Sequence, residues 1–150
     1  MSLSVFSDDH FMKLAYQEAE KAFKMDEVPV GAIIVCDNQV IARAHNMTET
    51  LNDVTAHAEM QAFTIASDFL GGKFLDNCTL YVTLEPCSMC AGASYWTRLK
   101  RVVIGAKDEK RGYTSYNENM LHPKTTVDWG IMEKECGEIL TKFFTNKRIG

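Results

Sequence analysis

Apolar residues recur at helical spacing in Phe11, Met12, Ala15, Ala19, Ala22 and Phe23. That face predicts a first helix, capped by Ser7 or Asp8 and running to about Lys24. Pro29 and Gly31 break the pattern. Ala32-Ile33-Ile34-Val35-Cys36 is then a continuous apolar run of the kind that makes a buried strand. After the turn residues Asp37-Asn38, Val40-Ile41-Ala42-Arg43-Ala44 returns as the second arm of a hairpin. Residues 46–55 are polar and read as a loop. Residues 56 to about 69 read as a helix with apolar surface from Met60, Phe63, Ile65 and Ala66, stopped by Gly71-Gly72. Thr79-Leu80-Tyr81-Val82-Thr83 has strand propensity, residues 87–98 form a further helix entered through Pro86, and Arg101-Val102-Val103-Ile104-Gly105 is another strand. A long polar loop covers residues 108–124, and residues 131–147 close the chain as one helix or two. This order of elements predicts an α/β fold with a mixed sheet and helices on its faces. With no internal repeat and no linker, residues 1–150 are expected to form a single domain.

Composition narrows this only a little. The 150 residues are 46% hydrophobic and 24% charged, as in ordinary globular proteins, and no apolar run approaches the length of a membrane span. The segment from Met1 to Asp9 has neither the basic start nor the apolar centre of a secretory signal, so the cytoplasm is the expected compartment. Five cysteines, an odd number, argue against a disulfide framework. A net charge of −4 weighs mildly against a nucleic-acid partner. Basic residues nevertheless collect in the last third, at Lys100-Arg101, Lys107, Lys110-Arg111, Lys142 and Lys147-Arg148. From composition alone, these read as solvated surface charge.

The chemistry lies in two blocks, His57-Ala58-Glu59 and Pro86-Cys87-Ser88-Met89-Cys90. Imidazole and thiolate are preferred zinc ligands, and three protein ligands leave the fourth position for water. Cys87 and Cys90, three apart at a helix start, present both sulfurs on one side. The helix N-terminus favours negative charge and so favours the thiolates. His57 is expected in the first turn of its own helix. A metal held by His57, Cys87 and Cys90 would lower the pKa of its water to about 7. Glu59, two residues from a ligand, can take the water's proton without binding the metal. A Cys-x-x-Cys pair alone is more often redox-active or structural. A structural site needs a fourth ligand, however, and Cys36, Cys78, Cys136, His45 and His122 show no pairing with the motif. The order H-x-E…P-C-x-x-C is the known signature of zinc nucleobase deaminases.

With those residues in hand, the sequence resembles the cytidine deaminase superfamily. More narrowly it resembles the bacterial tRNA-specific adenosine deaminases, which convert the wobble adenosine of a tRNA anticodon to inosine. The similarity runs almost end to end. It includes Glu27-Val28-Pro29-Val30-Gly31-Ala32, Thr55-Ala56-His57-Ala58-Glu59, Leu80 through Cys90-Ala91-Gly92-Ala93, Gly105-Ala106-Lys107-Asp108, Lys110-Arg111-Gly112, Cys136 and Phe143-Phe144. The resemblance implies a three-layer fold around a five-stranded mixed sheet, one zinc ion per subunit, and a homodimer whose active sites take residues from both subunits. It implies that Asn46 hydrogen-bonds the flipped base or its ribose. Val30, Leu84 and the Ala58 backbone would line the base pocket, and Asp108 would contact the ribose or the neighbouring nucleotide. Phe144, Lys147 and Arg148 would touch the anticodon stem-loop, and Glu59 takes the family's glutamate role. Two segments depart from the family: Ser94-Tyr95-Trp96, whose aromatic pair is similar to guanine deaminases, and Tyr113-Thr114-Ser115-Tyr116-Asn117.

Three functions therefore remain open from the sequence. The first is deamination of adenosine in a tRNA anticodon loop. The second is deamination of a free base or nucleoside such as guanine, cytosine or cytidine. The third is a non-catalytic partner subunit with a structural zinc, which would have no need of Glu59. Cys36, Cys78 and Cys136 are expected to do no more than pack.

Overall fold

In a computed structural model of the chain, the described residues are 6–149, so the start of the Met1–Asp9 segment read above lies outside them. Helix α1 spans Asp8–Lys24, and the Ser7 hydroxyl caps it by accepting from the His10 amide at 3.1 Å. Asp8 and Asp9 in its first turn complement the helix dipole. Of the predicted apolar face, Phe11, Met12, Ala15, Ala19 and Ala22 are buried and Phe23 is half-buried. Strands β1 (Gly31–Cys36) and β2 (Gln39–His45) form the predicted hairpin. Asp37 and Asn38 both take positive φ, 53° and 60°, as a tight two-residue turn of the right twist requires.

There follow α2 (Ala58–Leu70), β3 (Cys78–Leu84), α3 (Ser88–Thr97), β4 (Arg101–Ala106), β5 (Thr126–Trp129) and α4 (Glu133–Ile149). The closing segment is thus one helix. The sheet order is β2-β1-β3-β4-β5, with β1 antiparallel to both neighbours and β3, β4 and β5 mutually parallel. Strand β5 escaped the hydrophobic pattern because Thr126, Asp128 and Trp129 are exposed. Pairing with β4, not burial, makes it a strand, and it supplies the fifth member of the sheet. Alternation along β1 sends Ala32 and Ile34 to a core with Ala62, Phe63 and Ala91, and Ile33 and Val35 to one with Phe11, Met12 and Cys136. Helices α2 and α3 therefore cover one face and α1 and α4 the other, in three layers.

Some expected boundaries move. His57 and Cys87 are the N-caps of α2 and α3 and not members of their first turns, so Pro86 stands one residue before the cap. Helix α3 ends at Thr97 because Arg98 enters the left-handed region at φ 59°. Ile65 is exposed and adds nothing to the apolar face of α2. Gly71, at φ 70°, does end that helix.

Two contacts fix α1 against the sheet. A Cβ on Gly31 would lie 2.0 Å from the Ala15 carbonyl oxygen, so only glycine permits this approach. At the opposite sheet edge, both terminal nitrogens of Arg101 donate to Asp8 at 2.8 and 2.7 Å, and its Nε donates to Asp128 at 2.7 Å. Hydrogen bonding from Arg101 holds the Asp8 carboxyl below its ordinary value, against burial, with the Tyr81 hydroxyl donating as well. Arg101 is therefore a fastener of the fold. Among the described residues, no helix is long and apolar enough to cross a membrane.

Candidate metal centre and active-site cavity

Four strands end on one edge, β2 at His45, β3 at Leu84, β4 at Ala106 and β5 at Trp129, while antiparallel β1 begins there at Gly31. The caps of α2 and α3 stand on this edge, the usual place for ligands in open α/β sheets. The start of α2 is tied down by Gln61, whose side-chain amide donates to the carbonyls of His45 at 2.7 Å and Ala56 at 3.1 Å. The start of α3 is tied by the Tyr113 amide, which donates to the Pro86 carbonyl at 2.9 Å.

These two caps bring His57, Cys87 and Cys90 together, with their ligand atoms all within 4.8 Å of one another. The His57 Nδ1 lies 3.6 Å from the Cys87 sulfur and 3.5 Å from the Cys90 sulfur. In a tetrahedral zinc site, metal–sulfur and metal–nitrogen bonds of about 2.3 and 2.05 Å put sulfur and nitrogen about 3.6 Å apart. The triad therefore fits a small tetrahedral ion, and it does so through Nδ1.

The Cys90 thiol donates to Cys87, which brings Cys87 down to about 4 against the effect of burial and leaves Cys90 raised. The Cys87 sulfur in turn holds His57 above its ordinary value, against burial. A divalent cation at this centre would displace the remaining thiol proton. Glu59, in the first turn of α2, is only 4% exposed. Burial pushes its carboxyl up to about 7, with the Cys87 charge acting in the same direction and its own backbone amide and His57 opposing. A buried carboxyl poised near neutrality suits proton transfer in both directions.

The site opens into a cavity of about 500 Å³. Its walls include His57, Glu59 and Cys87 with Val30, Asn46, Ala58, Leu84, Asp108, Phe144 and Arg148, all singled out in the sequence. Asn46 is 6% exposed, and its side-chain oxygen is buried without a hydrogen-bond partner among the described residues. Lys147 is absent from this wall: it pairs with Asp26 and lies over the Phe143 ring. Phe143 is core, whereas its neighbour Phe144 is 44% exposed. The Tyr95-Trp96 pair is also absent from the wall, and Trp96 is 76% exposed on α3.

The wall also holds Val28, Thr48, Glu85, Lys110, Arg111 and Leu140, to which the sequence assigned no role. Two buried glutamates hold the loops of the site, Glu85 within the wall and Glu27 outside it. Glu27 accepts from the Glu49 amide at 3.0 Å and from the Thr50 amide and hydroxyl at 2.6 Å each, fixing the loop after β2. Burial raises its carboxyl, but these hydrogen bonds outweigh burial and leave it low. Glu85 holds the loop after β4 in a similar way. Both are acidic residues shortly ahead of a proline in segments that carry the resemblance, and nothing in the sequence pointed to their loop partners.

Known proteins resemble the chain over nearly its whole length. A family model described as MafB19-like deaminase matches residues 6–148. A tRNA-specific adenosine deaminase of Agrobacterium fabrum is 46% identical over 93% of this chain and 95% of its own. A solved structure described as a study of A-to-I editing by tRNA:A34 deaminases at the wobble position is 46% identical, with a TM-score of 0.82 over 87% of this chain and 99% of that one. A guanine deaminase structure from Bacillus subtilis is 42% identical, with a TM-score of 0.65, over 67% of this chain and 65% of that one. The cap-borne His-Cys-Cys triad, the buried glutamate beside it and this end-to-end similarity together place the chain in the MafB19-like deaminase family, among relatives named tRNA-specific adenosine deaminase.

Proposed function

We propose that the chain hydrolytically deaminates the wobble adenosine of a tRNA anticodon loop to inosine, with zinc held by His57, Cys87 and Cys90. The carrying observation is the His57–Cys87–Cys90 triad beside buried Glu59, opening into one cavity in a chain 46% identical to a tRNA-specific adenosine deaminase. When bound, zinc supplies the Lewis acidity that makes water nucleophilic near neutral pH. Glu59 takes the proton of the attacking water, delivers it to the ring nitrogen next to the reacting carbon, and then assists ammonia's departure. Val30 and Leu84 pack against the base, with the Ala58 backbone beside them. The unpartnered Asn46 oxygen accepts from a base or ribose donor. Asp108 faces the ribose or the next nucleotide, and Phe144 and Arg148 meet the stem-loop, with Lys147 further out. An anticodon loop already exposes its bases, so extruding one costs little. Residues 1–150 act as a single deaminase domain, and the cytoplasm, where tRNA is modified, is its place of work.

Incubating the protein with an anticodon stem-loop carrying a wobble adenosine is expected to yield inosine at that position. Guanine, cytosine and cytidine in parallel should release no ammonia. Turnover of a free base with none on the RNA would overturn the reading in favour of a free-base deaminase.

The protein acts as a homodimer. Helices α2 and α3 leave Ile65, Phe69, Tyr95 and Trp96 exposed, an apolar concentration that supports a self-association surface. Sedimentation equilibrium should find dimers at micromolar concentration, and Trp96→Glu should shift them toward monomer. A wild-type monomer would refute the assignment.

A further inference from the structure

Glu85 is 2% exposed, and among the described residues the hydrogen bonds its carboxyl receives all come from the segment after β4. The Asp108 amide donates to its Oε1 at 3.1 Å. The Thr114 amide and hydroxyl donate to its Oε2 at 3.0 and 2.7 Å. Gly112 sits against the same carboxyl group, where a Cβ would meet the Glu85 Cδ at 2.2 Å. Between these anchors, the Asp108 side chain accepts from the amides of Lys110 and Arg111 at 3.1 and 3.0 Å. Asp108, Lys110 and Arg111 all line the cavity. One buried group thus receives both ends of the segment that carries a cavity wall.

We infer that Glu85 is a positioning residue: by gripping Asp108 and Thr114 over Gly112, it sets where Asp108, Lys110 and Arg111 stand for substrate and so governs substrate affinity more than chemistry. The inference takes its substrate from the deaminase reading above but its geometry from the chain alone. The buried Glu85 carboxyl leaves the loop one well-satisfied position, and losing the acceptor frees it to sample others. An affinity effect without a rate effect is the mark of a wall displaced away from the reacting atoms.

The test is a cycle of Glu85→Ala, Gly112→Ala and the double variant in the metal-loaded protein. Glu85→Ala is expected to raise KM for the stem-loop about 10-fold with kcat within about threefold, and zinc content unchanged. Gly112→Ala should do the same in the wild-type background, where its methyl group collides with the carboxyl. In the Glu85→Ala background it should add less than about twofold, because the obstacle is gone. Thr114→Val, which leaves Glu85 and the fold in place, should raise KM about threefold. Amide exchange at Asp108 and Thr114 should quicken about 10-fold in Glu85→Ala, whatever the substrate. Additive effects in the cycle, a fall in kcat at constant KM, or unaltered exchange would each overturn the inference. Wild-type protein inactive on the stem-loop would instead overturn the proposed function, and the exchange measurement would still decide the role of Glu85.

Discussion

Glu59→Gln is expected to lower kcat by about 10²–10⁴-fold, toward the upper end because one carboxyl serves successive proton transfers. Glutamine keeps the size of the side chain and can still hydrogen-bond water, but it cannot hold a proton and give it back. Two features make this substitution clean. Glu59 is 4% exposed, so bulk water cannot stand in for it readily. It is also outside the His57–Cys87–Cys90 triad, so zinc content should stay at the wild-type value. Single-turnover kinetics on the stem-loop, with zinc measured on the same samples, separates the two quantities. Full zinc occupancy with kcat within tenfold of wild type would remove Glu59 from its role.

The metal triad was legible in the sequence because its geometry is mostly local. The spacing of Cys87 and Cys90 needs only the start of a helix, and His57 needs only a second helix start on the same sheet edge. The exact cap positions were not legible, since moving a helix start by one residue alters no hydrophobic pattern. The hairpin was legible because Asp37-Asn38 carries the turn chemistry between two apolar runs. Strand β5 was not, because Thr126–Trp129 is held by pairing with β4 while three of its four residues stay exposed. The roles of Glu27 and Glu85 were hidden for another reason. Their partners lie 22 to 29 residues away, and no periodicity links a buried acid to a loop that distant. Lys147 and Arg148 show the limit most sharply. They are adjacent in sequence and identical in charge, yet one pairs with Asp26 and the other lines the cavity. Successive helix residues face directions about 100° apart, so a shared composition implies no shared role.

Stripping the metal is expected to abolish turnover and to soften the site without unfolding the sheet. The core on both faces of the sheet is apolar, and only a few of its members, Ala58 and Ala91 among them, adjoin the triad, so most of the fold has support independent of the ion. The caps of α2 and α3 have less. His57 and Cys87 cap their helices without a side-chain hydrogen bond to the cap amides, leaving their side chains available to a metal and not to the helix. Free zinc at about 1,000 times its Kd stabilises the native chain by about 4 kcal/mol through mass action. For a chain of this size that corresponds to a fall in Tm of roughly 8–16 °C on chelation. Cys87, half-buried and favoured as the thiolate, should become open to alkylation at the same time, and one equivalent of zinc should restore turnover and Tm if added before the alkylating agent. Cys90→Ser should mimic chelation permanently, since Cys90 is fully buried and serine replaces a thiolate ligand with a poor one. Calorimetry, metal analysis and inosine formation on the same preparations supply the measurement. Wild-type turnover in protein verified free of metal would show that the triad serves the fold and not the reaction.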